Sequence, residues 1–291
     1  MTHPPSPDDL RNTAMHAIAF PNEPFFRFRS FVPARPNEPR EIICDSKLWF
    51  SSPNSFNDPF EAKPSFRFDQ GGRLTREQLD TLYKRRFPHV PEKQRRILAK
   101  EARKRFRRPE DLRTHRSTMR NEISKSFNGT GLCCFFKEWN HHALWAYYAD
   151  GHRGYCLVFD SAISWVVNNS HVGNLQLAPM DIRYQSEYPE VDLDWRQAGK
   201  DGWDVVETAL LTKSLNWKHE NEARIIVPEC TAQNIAFPPS FLSMVILGIR
   251  AAPTDIDSVK KLAATRIHGK LPVLQVVQKI GTFELGLATL L

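Results

Sequence analysis

The chain has 291 residues, of which 41% are hydrophobic, 25% charged and 11% aromatic. With 19 Phe, 7 Trp and 6 Tyr to build a core, a chain of this size is expected to bury roughly three-quarters of its unfolded surface, which excludes a mainly disordered state. The formal charge of +7 is unevenly spread: Lys84–Arg120 holds 15 Lys/Arg and four acids, a local +11 that leaves −4 for the rest.

Residues 1–24 contain five prolines and little periodicity, so they read as an irregular arm. Phe25-Phe-Arg-Phe-Arg-Ser30 alternates, which predicts a strand with Phe26 and Phe28 on one face and Arg27 and Arg29 on the other. Pro33, Pro36 and Pro39 predict a loop, and Lys47–Phe50 a short strand. Ser51–Glu61 is rich in Pro, Asn and Ser and reads as a packed loop because it also holds Phe56 and Phe60. Residues 75–126 read as helical, opened by the capping-box form Thr75-Arg-Glu-Gln78 and divided at Pro88, Pro91 and Pro109. This basic insertion predicts a phosphate-bearing partner, with Arg103, Lys104, Arg105, Arg107 and Arg108 as nucleic-acid contacts. A solvated helix surface accounts for the same residues without a ligand.

Leu132–Phe136 predicts a buried strand, and Asn140 a cap for a helix carrying Leu144, Trp145, Tyr147 and Tyr148 and closing near Gly151. Gly154–Phe159 reads as a strand, with Asp160 capping a short helix Ser161–Val167. Met180–Tyr184 predicts a strand, Trp203–Leu215 a helix, and Ala223–Val227 and Ser243–Ile249 strands. Thr254 is expected to cap a helix to about His268, before late strands at Leu271–Ile280 and Phe283–Leu287. Helices and strands mix without a βαβ period, so the expected class is α+β. The architecture that follows is one domain over 25–291, with a mixed, mostly antiparallel central sheet, flanking helices and the helical insertion.

The longest apolar runs, Met244–Ile249 and Tyr155–Phe159, are far below the roughly 20 residues of a bilayer span. The N-terminus lacks the plan of a secretion signal, and the five cysteines form an odd set without Cys-x-x-Cys. A cytoplasmic protein with reduced thiols and no membrane partner is expected.

On a strand through Glu220–Val227, Glu220, Glu222 and Arg224 share one face and Ala223, Ile225 and Val227 the other. That polar face is either a solvated edge or one wall of a cleft. Trp145 and Tyr148 lie one helical turn apart, with His152 just beyond, where a proton-transfer role and a turn-bonding role are both open. In Asn57-Asp58-Pro59 the side chains suit either a structural corner or a site loop. No Cys or His completes a metal set near His141, His142 or His152, so no transition-metal ligand is assigned.

Three segments carry a resemblance. Ser51-Ser-Pro-Asn-Ser-Phe-Asn-Asp-Pro-Phe-Glu61, Trp145-Ala-Tyr-Tyr-Ala-Asp-Gly-His-Arg-Gly154 and Lys213…Trp217-Lys-His-Glu-Asn-Glu-Ala-Arg224 together resemble a bacterial family known as domain of unknown function 2971. The order Arg27 or Arg29, Ser51 or Ser52, then Glu220-x-Glu222 is also similar to the plan of ADP-ribosyltransferases. That second resemblance implies NAD as the group consumed, with an early Arg on its pyrophosphate, a Ser shaping the nicotinamide pocket, and Glu222, partnered by Glu220, at the ribose. An Arg fork suits a pyrophosphate, and a fixed carboxylate stabilises an oxocarbenium-like centre. Asn57, Asp58, Trp145 and Tyr148 complete the expected binding set, and His152 the catalytic one.

Three functions compete: an NAD-consuming transferase acting on a nucleotide or nucleic acid, as in a defence or toxin effector; a nuclease gathering Mg²⁺ on Asp58, Glu61, Glu220 and Glu222; and a non-catalytic nucleic-acid-binding module.

Overall fold

In the computed structural model the alternating Phe/Arg segment forms the middle of the main sheet. The structure describes residues 24–31, 35–67, 83–84, 89–105, 109–160, 163–170, 173–192 and 203–290. The expected arm at 1–23 and the capping box at Thr75 lie outside them. The strands are β1 (Phe25–Arg29), β2 (Lys47–Phe50), β3 (Ser65–Arg67), β4 (Gly131–Phe136), β5 (Tyr155–Phe159), β6 (Trp165–Asn169), β7 (Gly173–Leu177), β8 (Met180–Asp181), β9 (Arg183–Gln185), β10 (Glu190–Asp192), β11 (Thr212–Ser214), β12 (Glu222–Val227), β13 (Gln233–Ala236), β14 (Leu242–Leu247), β15 (Val273–Gln278) and β16 (Leu285–Thr289). Helices span Glu38–Ile43, Glu92–Arg105, Pro109–Gly129, His142–Tyr148, Trp203–Leu210 and Pro253–Thr265. The chain is α+β.

It gathers into two compact units: one from residues up to Ser51, Gly131–Ile182 and Lys218 onward, the other from Ser52–Thr130 and Arg183–Trp217. In the first, an eight-stranded sheet runs β16-β15-β14-β5-β1-β4-β12-β8. Only the β14–β15 pair in it is parallel, because the helix Pro253–Thr265 carries the chain back across one face between them. One face holds Phe135, Tyr155, Leu157, Phe159, Ile225 and Val245 under the helices Glu38–Ile43 and Pro253–Thr265. The other holds Phe26, Phe28, Phe136, Val158 and Ile246 under Trp145 of the helix His142–Tyr148. With both faces covered, β5 is buried along its whole length. A Cβ on Gly154 would lie 2.1 Å from the carbonyl oxygen of Arg29, so only glycine lets that end of the helical motif close on β1.

The second unit pairs β3 with β10 and β9 with β11, both parallel, and holds both basic helices. Phe66 stacks on Phe127 with ring centroids 6.5 Å apart.

Several expectations are corrected. Residues 165–167 are strand rather than helix, since Trp165 and Val167 pair with Leu177 and Leu175 in the β6–β7 ribbon and alternate inward with exposed Val166. The segment Met180–Tyr184 is two strands: β8 joins β12 and β9 joins β11. The helix from Trp203 stops at Leu210, and Thr212–Ser214 turns extended to make that second pairing. Pro39 opens a helix instead of prolonging a loop, as its fixed φ suits the first turn. Asn140 does not cap the helix that follows; His141 holds that position without a side-chain bond. Thr254 likewise sits inside its helix, whose N-cap is Ala252 with proline at the first turn.

Candidate functional site

Glu220 is not on the strand. It ends a 3₁₀ turn over Leu215–Glu220, and Asn221, at φ +46°, reverses the chain before β12 begins at Glu222. Asn is among the few residues that take this left-handed conformation readily. The reversal lets two glutamates a residue apart meet different partners. Glu220 is fully buried and accepts a hydrogen bond from the Tyr148 hydroxyl at 2.7 Å. Glu222 accepts from Arg224 Nε at 2.6 Å and from its Nη2 at 3.0 Å, a bidentate fork. Arg224 has no exposed surface, and burial lowers its guanidinium to about 9, which leaves it protonated at neutral pH. Beside this cluster the rings of His141 and His219 stack at 5.5 Å, and Phe136 packs on Tyr148 at 5.0 Å.

The arginines of β1 are elsewhere. Phe26 and Glu222 both stand opposite Phe136 across the sheet, so Glu222 and Arg224 point to the Phe26 face. Arg27 and Arg29, one residue out of phase, point to the other. The single pocket expected from Arg27 or Arg29 with Glu222 is therefore not formed by these side chains: a sheet with a packed core on each face stands between them. Arg27 donates to the carbonyls of Cys134 at 2.8 Å and Trp49 at 3.1 Å. Arg29 is paired with buried Glu38.

Ser51 enters the first unit through a backbone bridge to Leu132. Ser52 caps the 3₁₀ turn Pro53–Ser55 in the second, accepting from Asn54 N–H at 3.3 Å and donating to the Asn128 carbonyl at 3.2 Å. Asn57 Oδ1 accepts from Asp58 N–H, and Asp58 Oδ1 from Phe60 N–H at 2.8 Å. These are the bonds of a structural corner. Glu61, two residues on from Pro59, forms a buried ion pair with Lys213 at 3.3 Å, both side chains at most 3% exposed, and the Lys213 ammonium lies 5.3 Å from the Trp217 ring centroid. Among the described residues no group of three or more His, Cys, Asp or Glu is arranged to hold a metal ion.

His152 is the third of three consecutive left-handed residues, Asp150, Gly151 and His152. Its ring stacks on Trp145 at 6.2 Å, and its carbonyl accepts from Arg250 N–H at 3.0 Å. Burial, then the nearby charges of His142 and Arg250, lower its pKa from the ordinary 6.5. Trp145 is fully buried and donates to the Trp139 carbonyl at 2.6 Å, so it is core rather than a stacking platform. In the basic insertion Lys104 is exposed. Arg107 and Arg108 lie outside the described residues, as do the side chains of Arg103 and Arg105.

Sequence reasoning missed Glu38, Arg35 and Tyr155, which gather around Arg29. Glu38 was hidden by the prolines that read as loop, and Tyr155 by an apolar strand. The Glu61–Lys213 pair was visible only as two members of separate motifs.

All five cysteines are free, and among the described residues no helix is long and apolar enough to cross a membrane. Residues 144–225 match the model of a family described as protein of unknown function (DUF2971), which bears out the resemblance drawn from Trp145–Gly154 and Trp217–Arg224. No curated protein and no solved structure matches the chain.

Proposed function

We propose that the segment matched by this family carries the reacting groups of an NAD-consuming, ADP-ribosyltransferase-like enzyme, with Glu222 and Glu220 as its two carboxylates. The observation behind the reading is the pair itself. Two glutamates a residue apart are almost wholly buried, each aimed by its own partner, Tyr148 or Arg224. Buried charge of this kind is costly to the fold and concentrates at sites of chemistry.

In this reading Glu222, held by the Arg224 fork, faces the ribose carbon as its bond to nicotinamide breaks. The bonding electrons leave with the nicotinamide nitrogen, which becomes neutral, and positive charge develops on the ribose. The acceptor's nucleophile then bonds to that carbon, and Glu220 takes its proton. Half-buried Tyr148 orients Glu220 and borders solvent. The phosphate anchor is not Arg27 or Arg29, which face the other side of the sheet. The basic helices of the second unit are proposed to hold a nucleic acid, with exposed Lys100, Lys104 and Arg113 on its phosphates.

Incubation with NAD tests the reading. The native protein releases nicotinamide, and Glu222→Gln lowers the rate at least 100-fold, about 3 kcal/mol of transition-state stabilisation. No release from the native protein, with or without added RNA and DNA, rejects it, and chelator-sensitive cleavage of the nucleic acid selects a nuclease instead.

A further inference from the structure

The face of the sheet turned away from the glutamates carries its own polar cluster. Arg29 of β1 stands directly opposite Tyr155 of β5, and the same corner holds Glu38 from the following helix and Arg35 just before it. Glu38 Oε1 receives Arg29, and it lies 3.3 Å from Arg35 Nη1. The Arg35 guanidinium carbon lies over the Trp49 ring, 4.1 Å from its centroid. Arg27, on the same face of β1, donates through its two Nη groups to the carbonyls of Cys134 and Trp49.

Among the described residues, four polar atoms of this cluster are buried without a hydrogen-bond partner: Tyr155 Oη, Arg27 Nε, Arg29 Nε and Glu38 Oε2. Tyr155 has no exposed surface, and Glu38 is 2% exposed. The phenol feels Glu38 and all three arginines, and with its burial the carboxylate holds it in the protonated, donating form. Orphaned buried groups are uncommon in folded proteins, and each costs about 1–3 kcal/mol. Four in one corner ask for a shared partner. The side chains of Arg29 and Arg35 are about a quarter exposed, whereas Tyr155, opposite Arg29, is buried and packs on Phe31 with ring centroids 4.8 Å apart.

The needs of the four atoms are specific. Three are donors and require an acceptor; Glu38 Oε2 is an acceptor and requires a donor. Three guanidiniums against buried Glu38 and the partly exposed Glu41, 3.6 Å from Arg35 Nη2, still leave one positive charge over and favour a negative ligand. We propose that this corner is a binding site for a protonated oxyanion: inorganic hydrogen phosphate, or a singly ionised phosphomonoester. Its charged oxygens accept from Tyr155, Arg27 and Arg29, and its remaining P–OH donates to Glu38. Sulfate has the same shape and charge but no proton at neutral pH, so it leaves Glu38 Oε2 unsatisfied and sets its own charge against the carboxylate. The site faces away from Glu220 and Glu222 and stands independently of their chemistry.

Thermal unfolding in inorganic phosphate at pH 7, against sulfate at matched ionic strength, tests this. Both ions stabilise folded proteins weakly by exclusion from the surface, so sulfate supplies the baseline. A saturable rise in Tm with phosphate is expected, with sulfate at least tenfold weaker, and AMP at pH 6 reports whether a nucleotide's phosphate serves as well as the free anion. Tyr155→Phe is the informative variant. Removing an unpartnered buried hydroxyl leaves a structural corner as stable or more so, whereas a ligand site loses about tenfold in phosphate affinity. Arg35→Gln weakens binding in the same direction, and Glu222→Gln leaves it unchanged. Equal responses to phosphate and sulfate overturn the proposal, as does a Tyr155→Phe protein that binds phosphate like the native one.

Discussion

At the scale of single residues, the decisive property is how each buried charge is compensated. Glu222 and Arg224 neutralise each other with almost no solvent contact. Breaking such a pair takes the bidentate partner from a fully buried guanidinium, and Glu222→Gln is expected to lower stability by about 3 kcal/mol. Replacing both, as in Glu222→Gln with Arg224→Met, restores most of that loss in chemical denaturation, and under the proposed function nicotinamide release stays at least 100-fold below the native rate. A double variant as unstable as the single one contradicts this account. His152 supplies a pH-dependent counterpart. Its folded-state pKa lies below the ordinary 6.5, so on acidification the unfolded chain takes up a proton first. The stability it contributes is complete above pH 6.5 and is lost as pH falls through the folded value. His152→Asn, which keeps the left-handed backbone accessible, should flatten the fall in Tm between pH 7 and pH 5. His142 and Arg250, which face the same ring, are left in place as the control charges.

At the scale of elements, the turn between Glu220 and Glu222 is the most informative short segment. Asn221 takes φ +46°, donates its N–H to the Lys218 carbonyl at 3.2 Å and accepts at its own carbonyl from Lys137 N–H at 3.2 Å. Asn221→Gly is expected to be nearly neutral in unfolding experiments, because glycine adopts this conformation freely. Asn221→Val should cost about 1–2 kcal/mol and, if the proposed function holds, reduce nicotinamide release more than the stability loss alone explains, by shifting Glu220 from Tyr148. Equal stability of the two variants would show that the turn is unstrained. The basic helices make a separate prediction. If Lys100, Lys104 and Arg113 lie on phosphates, neutralising each reduces the slope of log affinity against log salt by about 1, with little dependence on nucleic-acid sequence. Unchanged slopes assign these residues to a solvated surface.

At the scale of the whole molecule, the main sheet separates two polar clusters: a glutamate pair on one face and three arginines on the other. Tyr155→Phe and Glu222→Gln sit on opposite sides of it, so their effects on stability should add within about 0.3–0.5 kcal/mol. A larger coupling would mean that the core transmits strain between the faces. Much of this architecture is legible in the chain. Alternation in Phe25–Arg29 specifies a strand with its arginines on a common face, and the mixture of elements without a βαβ period specifies α+β. The spacing of Glu220, Glu222 and Arg224 marks the acidic cluster, although Asn221 bends Glu220 off the strand. What could not be read is which strands become neighbours. Period-two alternation tells two faces apart within one strand, but it does not say which face of β1 matches which face of β12; the cross-strand row of Phe26, Phe136 and Glu222 does. The sequence by itself determined the class, the core-forming strands and the residues rich enough in chemistry to matter. Only the tertiary structure decided that the early arginines and the late glutamates look away from each other, because pairing register is a long-range property that no local pattern encodes.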